Sequence, residues 1–391
     1  MRIHLLGFIT FALLLFTFSC INRSDEPQLD TFRTTWQIKP SLKYDLCSMI
    51  GVMTGRSLYQ KYHADIYGKW SWKLPAPVKF ALTQIDQIIG ADWPPGPRLG
   101  LLLSALSADD SLSAILQAMQ NDKAVYENLM ASEYGSQKNW KQWVLLKPHL
   151  QVVISYLAQN NFDAYWRSQL LPAVVARIPE MDRELQAYDV VGDLERFLVE
   201  YDYNDTVTVY LLSLAQPHEW RIQSQCRATD YRNPVKATVL NFYSEMLHPY
   251  CDRLVDTVLT NEFEALIGSS QLSQSYQKVS PEGKRGGLHA FVQKEVVLAP
   301  ALWLGERRRL VSSQPNSQFD NSKDAVRLYL TSLDDGAHVL AAVIYSYLEA
   351  GLKVDRLSYG EFVEELFYSG RLQSEKIVQR HEDFMNHLTV Q

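Results

Sequence analysis

The chain reads as a mainly α protein with a small β-sheet, an α+β arrangement in which a helical N-terminal half is followed by short strands and then by further helices. Three observations predict this. Apolar residues recur at three-to-four spacing through most of the first half, β-branched residues cluster at Thr206-Val207-Thr208-Val209-Tyr210-Leu211, and helical spacing returns from Ala325 onward. With 47% hydrophobic and 21% charged residues, the 391-residue chain can bury a substantial core as one large or two small domains.

The first element is a leader. Arg2 and His4 form a basic start, residues 5–18 are an apolar run, and Ser19-Cys20 closes it. This is the tripartite build of a secretory signal, too short for the roughly 20 residues of a bilayer-spanning helix. A cysteine directly after a small residue resembles a bacterial lipoprotein cleavage site, although Thr17 stands where leucine is usual. Residues 1–19 are therefore expected to be a signal peptide and Cys20 a lipidation site. Residues 20–40 are expected to be a polar leash, with the membrane of a bacterial cell envelope as the partner of the lipid.

Residues 41–202 come next as a helical region, with helical spacing over 44–62, 77–89, 99–107 and 111–120 and a break at Trp93-Pro94-Pro95-Gly96-Pro97. The pattern resumes over 150–158, 163–171 and 182–188. A second region, 203–391, opens with the β-branched run and a loosely alternating stretch at 220–228, predicting a small sheet. Asn233-Pro234 then offers a cap residue and a proline at the start of a helix. Val239, Phe242, Tyr243, Met246, Leu247, Tyr250 and Leu254 carry it forward at helical spacing. Pro249 is expected to kink that helix just after His248. Loops are expected at 280–287 and 314–317, then helices over 337–350, 359–367 and 375–388.

The chemistry-bearing motif is Ser244-Glu245-Met246-Leu247-His248. It reads as the H-E-x-x-H of zinc peptidases with serine in place of the first histidine. In that motif two histidines four apart on one helical face grip Zn²⁺ and the glutamate works on the metal-bound water. The stretch through His248-Pro249-Tyr250-Cys251-Asp252-Arg253-Leu254-Val255-Asp256 resembles a group of poorly characterised bacterial gluzincin-like metallopeptidases. The resemblance implies a third zinc ligand on a later helix, and Phe291 to Ala299, with Glu295 on its apolar face, looks like that helix. It also implies an edge strand lining a substrate cleft, where an extended peptide pairs.

The departure at Ser244 bears directly on the metal. A neutral hydroxyl is a poor zinc ligand, and His248 with Glu295 is too small a set to hold the ion. Cys251, on the same helical face, is an alternative donor, but it would move the ion one turn away from Glu245. No cofactor is therefore expected. The leading expectation is an exported, lipid-anchored protein with a metallopeptidase-like fold and a degenerate zinc site, binding a peptide or an envelope protein without catalysis. One alternative is an active zinc-dependent peptidase with Glu245 as general base, His248 and Glu295 as ligands and a non-standard third ligand. The other is a structural helical lipoprotein in which His248 and Glu295 are ordinary paired residues.

Other classes fail on the residues. The formal net charge is −6, and −7 once residues 1–19 and their single Arg2 are removed, so nucleic acid is not an expected partner. The basic run Arg307-Arg308-Arg309 reads as a solvated helix end. His381-Glu382 and His387 are spaced for different helical faces, and Ser275-Tyr276-Gln277-Lys278 lacks the companion motifs of a penicillin-binding protein. Beyond Cys20, the three cysteines Cys47, Cys226 and Cys251 allow at most one disulfide.

Overall fold

The computed structural model describes residues 32–386, apart from 92, 109–110, 200–202, 217–218, 280–283, 285 and 312–321. The signal peptide, Cys20 and most of both expected loops lie outside the described residues.

Four strands make one mixed sheet: β1 (Thr35–Pro40), β2 (Thr206–Leu212), β3 (Trp220–Gln223) and β4 (Cys226–Asp230). Their order is β1-β2-β4-β3. β2 runs parallel to both β1 and β4, with Trp36 opposite Val207 and Tyr210 opposite Ala228, while β3 and β4 form an antiparallel hairpin. The expected leash of residues 20–40 is corrected at its end, because Thr35–Pro40 is a strand and not linker. Its signal was the alternation of Trp36, Gln37 and Ile38, and only a distant partner, β2, completes its backbone hydrogen bonds.

Alternation along β2 explains the layering. Val207, Val209 and Leu211 face one apolar cluster, whereas Tyr210 and Leu212 face another. The second cluster gathers helices from Leu42–Met53 to Gln137–Gln159, with Trp143, Leu150 and Leu157 fully buried. It also takes in Trp220, Ile222 and Ala228 from the β3–β4 hairpin. The first gathers Trp36, Val174, Leu185 and Leu194 with the motif helix and most of the C-terminal helices. Packing thus changes sides near residue 170, ahead of the expected boundary at 203.

Local chemistry sets the helix ends. Ser41 caps Leu42–Met53, its hydroxyl accepting from Tyr44 N at 3.1 Å. Gly55, at φ +78°, then turns the chain into Ser57–Ser71 within what reads as one continuous pattern. The proline run expected to break structure instead starts a helix, Pro95–Leu103, since proline is favoured in a first turn. That helix lies against β3 so closely that a methyl group on Gly100 would stand 2.4 Å from Trp220 Nε1. Asp45, fully buried, ties helix to sheet: it accepts from Ser213 N and Leu214 N, both at 2.9 Å, and from Trp166 Nε1 at 2.7 Å. Burial nonetheless pushes its carboxyl up to about 7.

Candidate functional site

The motif lies on the helix Val235–Arg253, and the later glutamate on Gly287–Arg307; the two helices pack against each other. Val239, Phe242, Tyr243, Met246 and Leu247 are fully buried, which turns Ser244, Glu245 and His248 toward the half-buried side. The helix is fixed by polar contacts as well as by apolar ones. Tyr243 donates to Asp193 at 2.5 Å, and Asp193 also receives Arg308 Nε at 2.6 Å and Arg196 at 2.8 Å. Burial opposes ionisation of Asp193, but these donors outweigh it and hold its carboxyl below the usual range.

Each helix contains an interior proline, and both are accommodated in the same way. Proline lacks the N–H that would bond to the carbonyl four residues earlier. Pro249 thereby releases Glu245 O, and Arg221 Nη1 donates to it at 3.3 Å. Pro300 releases Val296 O, and Tyr359 donates its hydroxyl at 2.8 Å. The proline after His248 thus comes with a side-chain donor reaching from another element.

Glu245 points toward the β3–β4 hairpin. One of its oxygens accepts from Arg227 Nη1, while Arg227 Nη2 donates to Glu219 at 2.9 Å. Arg221, from β3, joins the network through Tyr134 at 2.9 Å. The second oxygen, Oε2, is buried and has no hydrogen-bond partner among the described residues. Burial pushes the Glu245 carboxyl up to about 7, with Arg227 and then Arg221 pulling the other way.

His248 is about one-third exposed, with Nδ1 3.8 Å from Asp252 one turn on. Ser244 is half-buried beside Glu245. Cys251 is fully buried, and burial raises its thiol well above the ordinary value; Sγ lies 3.8 Å from Val296 O. It is thus a protonated packing residue, unsuited to bind metal as a thiolate.

Glu295 is turned elsewhere. Its side chain is completely buried, with Oε1 2.5 Å from His338 Nδ1 and Oε2 accepting from Ala341 N at 3.0 Å. Ala341 is in the first turn of the helix Val339–Glu349, so Glu295 caps that helix from outside it. His338 Nε2 in turn meets Asp334 at 3.2 Å. Both ring nitrogens face carboxylates, which suits the doubly protonated imidazolium. Burial disfavours that cation, but the Glu295 and Asp334 contacts outweigh it and raise His338 above its ordinary pKa.

No family model, curated protein or solved structure matches the chain.

The expected convergence of Glu245, His248 and Glu295 does not occur, and the Glu295 carboxylate does not face His248. The three side chains engage Arg227, Asp252 and His338 respectively. Among the described residues no group of three or more His, Cys, Asp and Glu is placed to hold a metal ion. As arranged, these donors do not fit zinc, since both Glu295 oxygens are engaged by His338 and the Ala341 amide and Glu245 is bound to a guanidinium. The sequence pattern marks the costly buried glutamate but not its partner. Asp334-Asp335-Gly336-Ala337-His338, polar and Gly-containing just before the apolar run 339–345, was the available signal of a helix start. Arg221 and Arg227 gave none beyond their place in the alternating stretch.

Proposed function

We propose that the chain is an exported, lipid-anchored envelope protein of gluzincin-like layout that performs no zinc-dependent hydrolysis and acts by binding a peptide or an envelope protein. The layout is supported by the order of the elements: strands, motif helix, then a glutamate-bearing helix packed against it. One observation carries the non-catalytic part: each carboxylate a zinc peptidase would use is already engaged by a protein cation, Glu245 by Arg227 and Glu295 by His338. A general base must reach a metal-bound water, and a metal ligand must present an open lone pair to the ion. The engagement of both carboxylates supports the non-catalytic reading.

The experiment measures zinc in the full chain and in Ser244→His, purified in the presence of chelator. Restoring the histidine would complete a His-His-Glu set only if Glu295 were available, so sub-stoichiometric zinc is expected in both proteins. Stoichiometric zinc in the natural chain would overturn the reading in favour of the hydrolase. Stoichiometric zinc in Ser244→His alone would show that Glu295 exchanges His338 for metal, leaving serine as the only lost element.

A further inference from the structure

We infer that the outer face formed by the helices Ala76–Ile89 and Gln137–Gln159, with the turn preceding the first, docks onto an anionic lipid bilayer. The face is apolar where a water-facing surface is ordinarily polar. Trp72 is 74% exposed, Phe80 61%, Leu145 58% and Val144 51%. Part of this surface is continuous across the two helices. Val144, Pro148 and Val152 succeed one another at four-residue spacing along the exposed side of the long helix, and Phe80 meets His149 edge-on at 6.0 Å between ring centroids. Between the helices runs a shallow groove of about 460 Å³ lined by Pro75, Pro77, Pro148, Val152 and Tyr156 together with the neutral polar Gln151, Ser155 and Gln159. Solvent-facing apolar ground of this kind marks an interaction site.

Charge identifies the occupant. The chain carries 44 acidic residues against 38 basic, yet residues 69–85 and 134–162 contain six lysines and no Asp or Glu, and the one acidic residue of the two helices, Asp86, is paired with Arg56 at 2.6 Å. Lys147 turns aside to Asp122 at 2.8 Å, whereas Lys73, Lys79, Lys138 and Lys141 are exposed around the apolar patch. An apolar centre with an indole at its edge and a rim of lysines is the build of an interfacial membrane surface: the rings enter the headgroup layer and the ammonium groups meet lipid phosphates. A protein partner would not require every acidic residue to be absent from both segments. The source of the membrane rests on the lipid-anchored reading. Thr34 stands fourteen positions after Cys20, and at ~3.5 Å each that tether keeps the body within about 50 Å of its anchor.

The test uses the full chain, purified and reconstituted into vesicles of phosphatidylcholine with phosphatidylglycerol, or of phosphatidylcholine alone, each doped with a brominated lipid that quenches indole fluorescence on contact. Mass spectrometry of the Cys20 peptide reports acylation separately. Quenching is expected in the anionic vesicles, weakening at high salt and in phosphatidylcholine alone. Trp72→Phe should remove most of it, as should the triple variant Lys73→Glu, Lys79→Glu, Lys141→Glu, with circular dichroism unchanged. Quenching that survives intact in Trp72→Phe, or absence of quenching in a folded chain, overturns the inference and leaves the face to a protein partner. Quenching by a chain whose Cys20 is unmodified would sustain the docking surface while refuting the anchor.

Discussion

Glu245 and Glu295 sit on two neighbouring helices, both in low-dielectric surroundings and each beside a cation, yet their situations differ. Glu295 has both oxygens engaged, one by His338 and one by the amide of Ala341, and is completely buried. Glu245 retains 13% side-chain exposure, shares Arg227 with Glu219, and has one oxygen with no partner among the described residues. A buried carboxylate is tolerated according to how completely its two oxygens are engaged, and a nearby cation does not suffice. Glu295 is therefore a structural keystone between helices. Glu245 is an incompletely satisfied member of a network that can survive without it.

Replacing each in turn tests this most forcefully. Glu295→Ala leaves His338 only the more exposed Asp334 at 3.2 Å and strands the Ala341 amide at a helix start in a fully buried site, so a loss of about 3–5 kcal/mol is expected, the range for breaking a buried pair from one side. Glu245→Ala should cost markedly less, because Arg227 keeps Glu219 at 2.9 Å. Urea unfolding followed by circular dichroism gives both values. Equal losses would erase the distinction between the two sites.

The pH dependence separates them by window. Glu245 has a folded pKa of about 7, above the ordinary carboxylate value of 4.5. Between those values the native state binds more protons than the unfolded one, so stability declines as pH rises from 4.5 to 7. Glu245→Gln should flatten that decline, by at most about 3 kcal/mol if the full shift is expressed. His338 is raised above its ordinary 6.5, so its contribution is complete below 6.5 and is lost as pH climbs through the raised folded value. His338→Phe should therefore alter the slope only above 6.5. Unfolding curves across pH for each variant are read against the natural chain, in which Asp45 supplies a common background; a slope change in His338→Phe below pH 6.5 would count against the assignment.

The sequence is legible where information is local and falters where it is not. The periodic helices, the β2 run and the motif helix are legible, because 3.6-residue and two-residue spacings are written into neighbouring residues. β1 is not, since Thr35–Pro40 becomes a strand only by pairing with residues about 170 positions away. The proline run at 93–97 reads as a break because proline stops a helix from within and starts one from its first turn, and the sequence alone does not say which. At the site, the apolar neighbours of Glu295 show that its charge needs a partner. They do not distinguish metal from His338, because either relieves the same cost.

The smallest expected effect concerns the released carbonyls, which extend the contrast from side chains to backbone. Val296 O is buried and receives Tyr359 at 2.8 Å, whereas Glu245 O receives Arg221 at a longer 3.3 Å in partly exposed surroundings. Tyr359→Phe removes the strong donor to Val296 O and should cost about 1–2 kcal/mol. Pro300→Ala restores an amide that can bond to the same carbonyl, so in that background the Tyr359→Phe loss should shrink, giving a coupling of about 1 kcal/mol in a double-mutant cycle. The corresponding cycle of Arg221→Met with Pro249→Ala should give less, because a longer bond near water has less to lose. Urea denaturation of the two cycles measures both couplings. A larger value at Glu245 would mean that the Arg221 contact holds the motif helix more firmly than its geometry indicates, and that the completeness of lone-pair use does not rank these two sites.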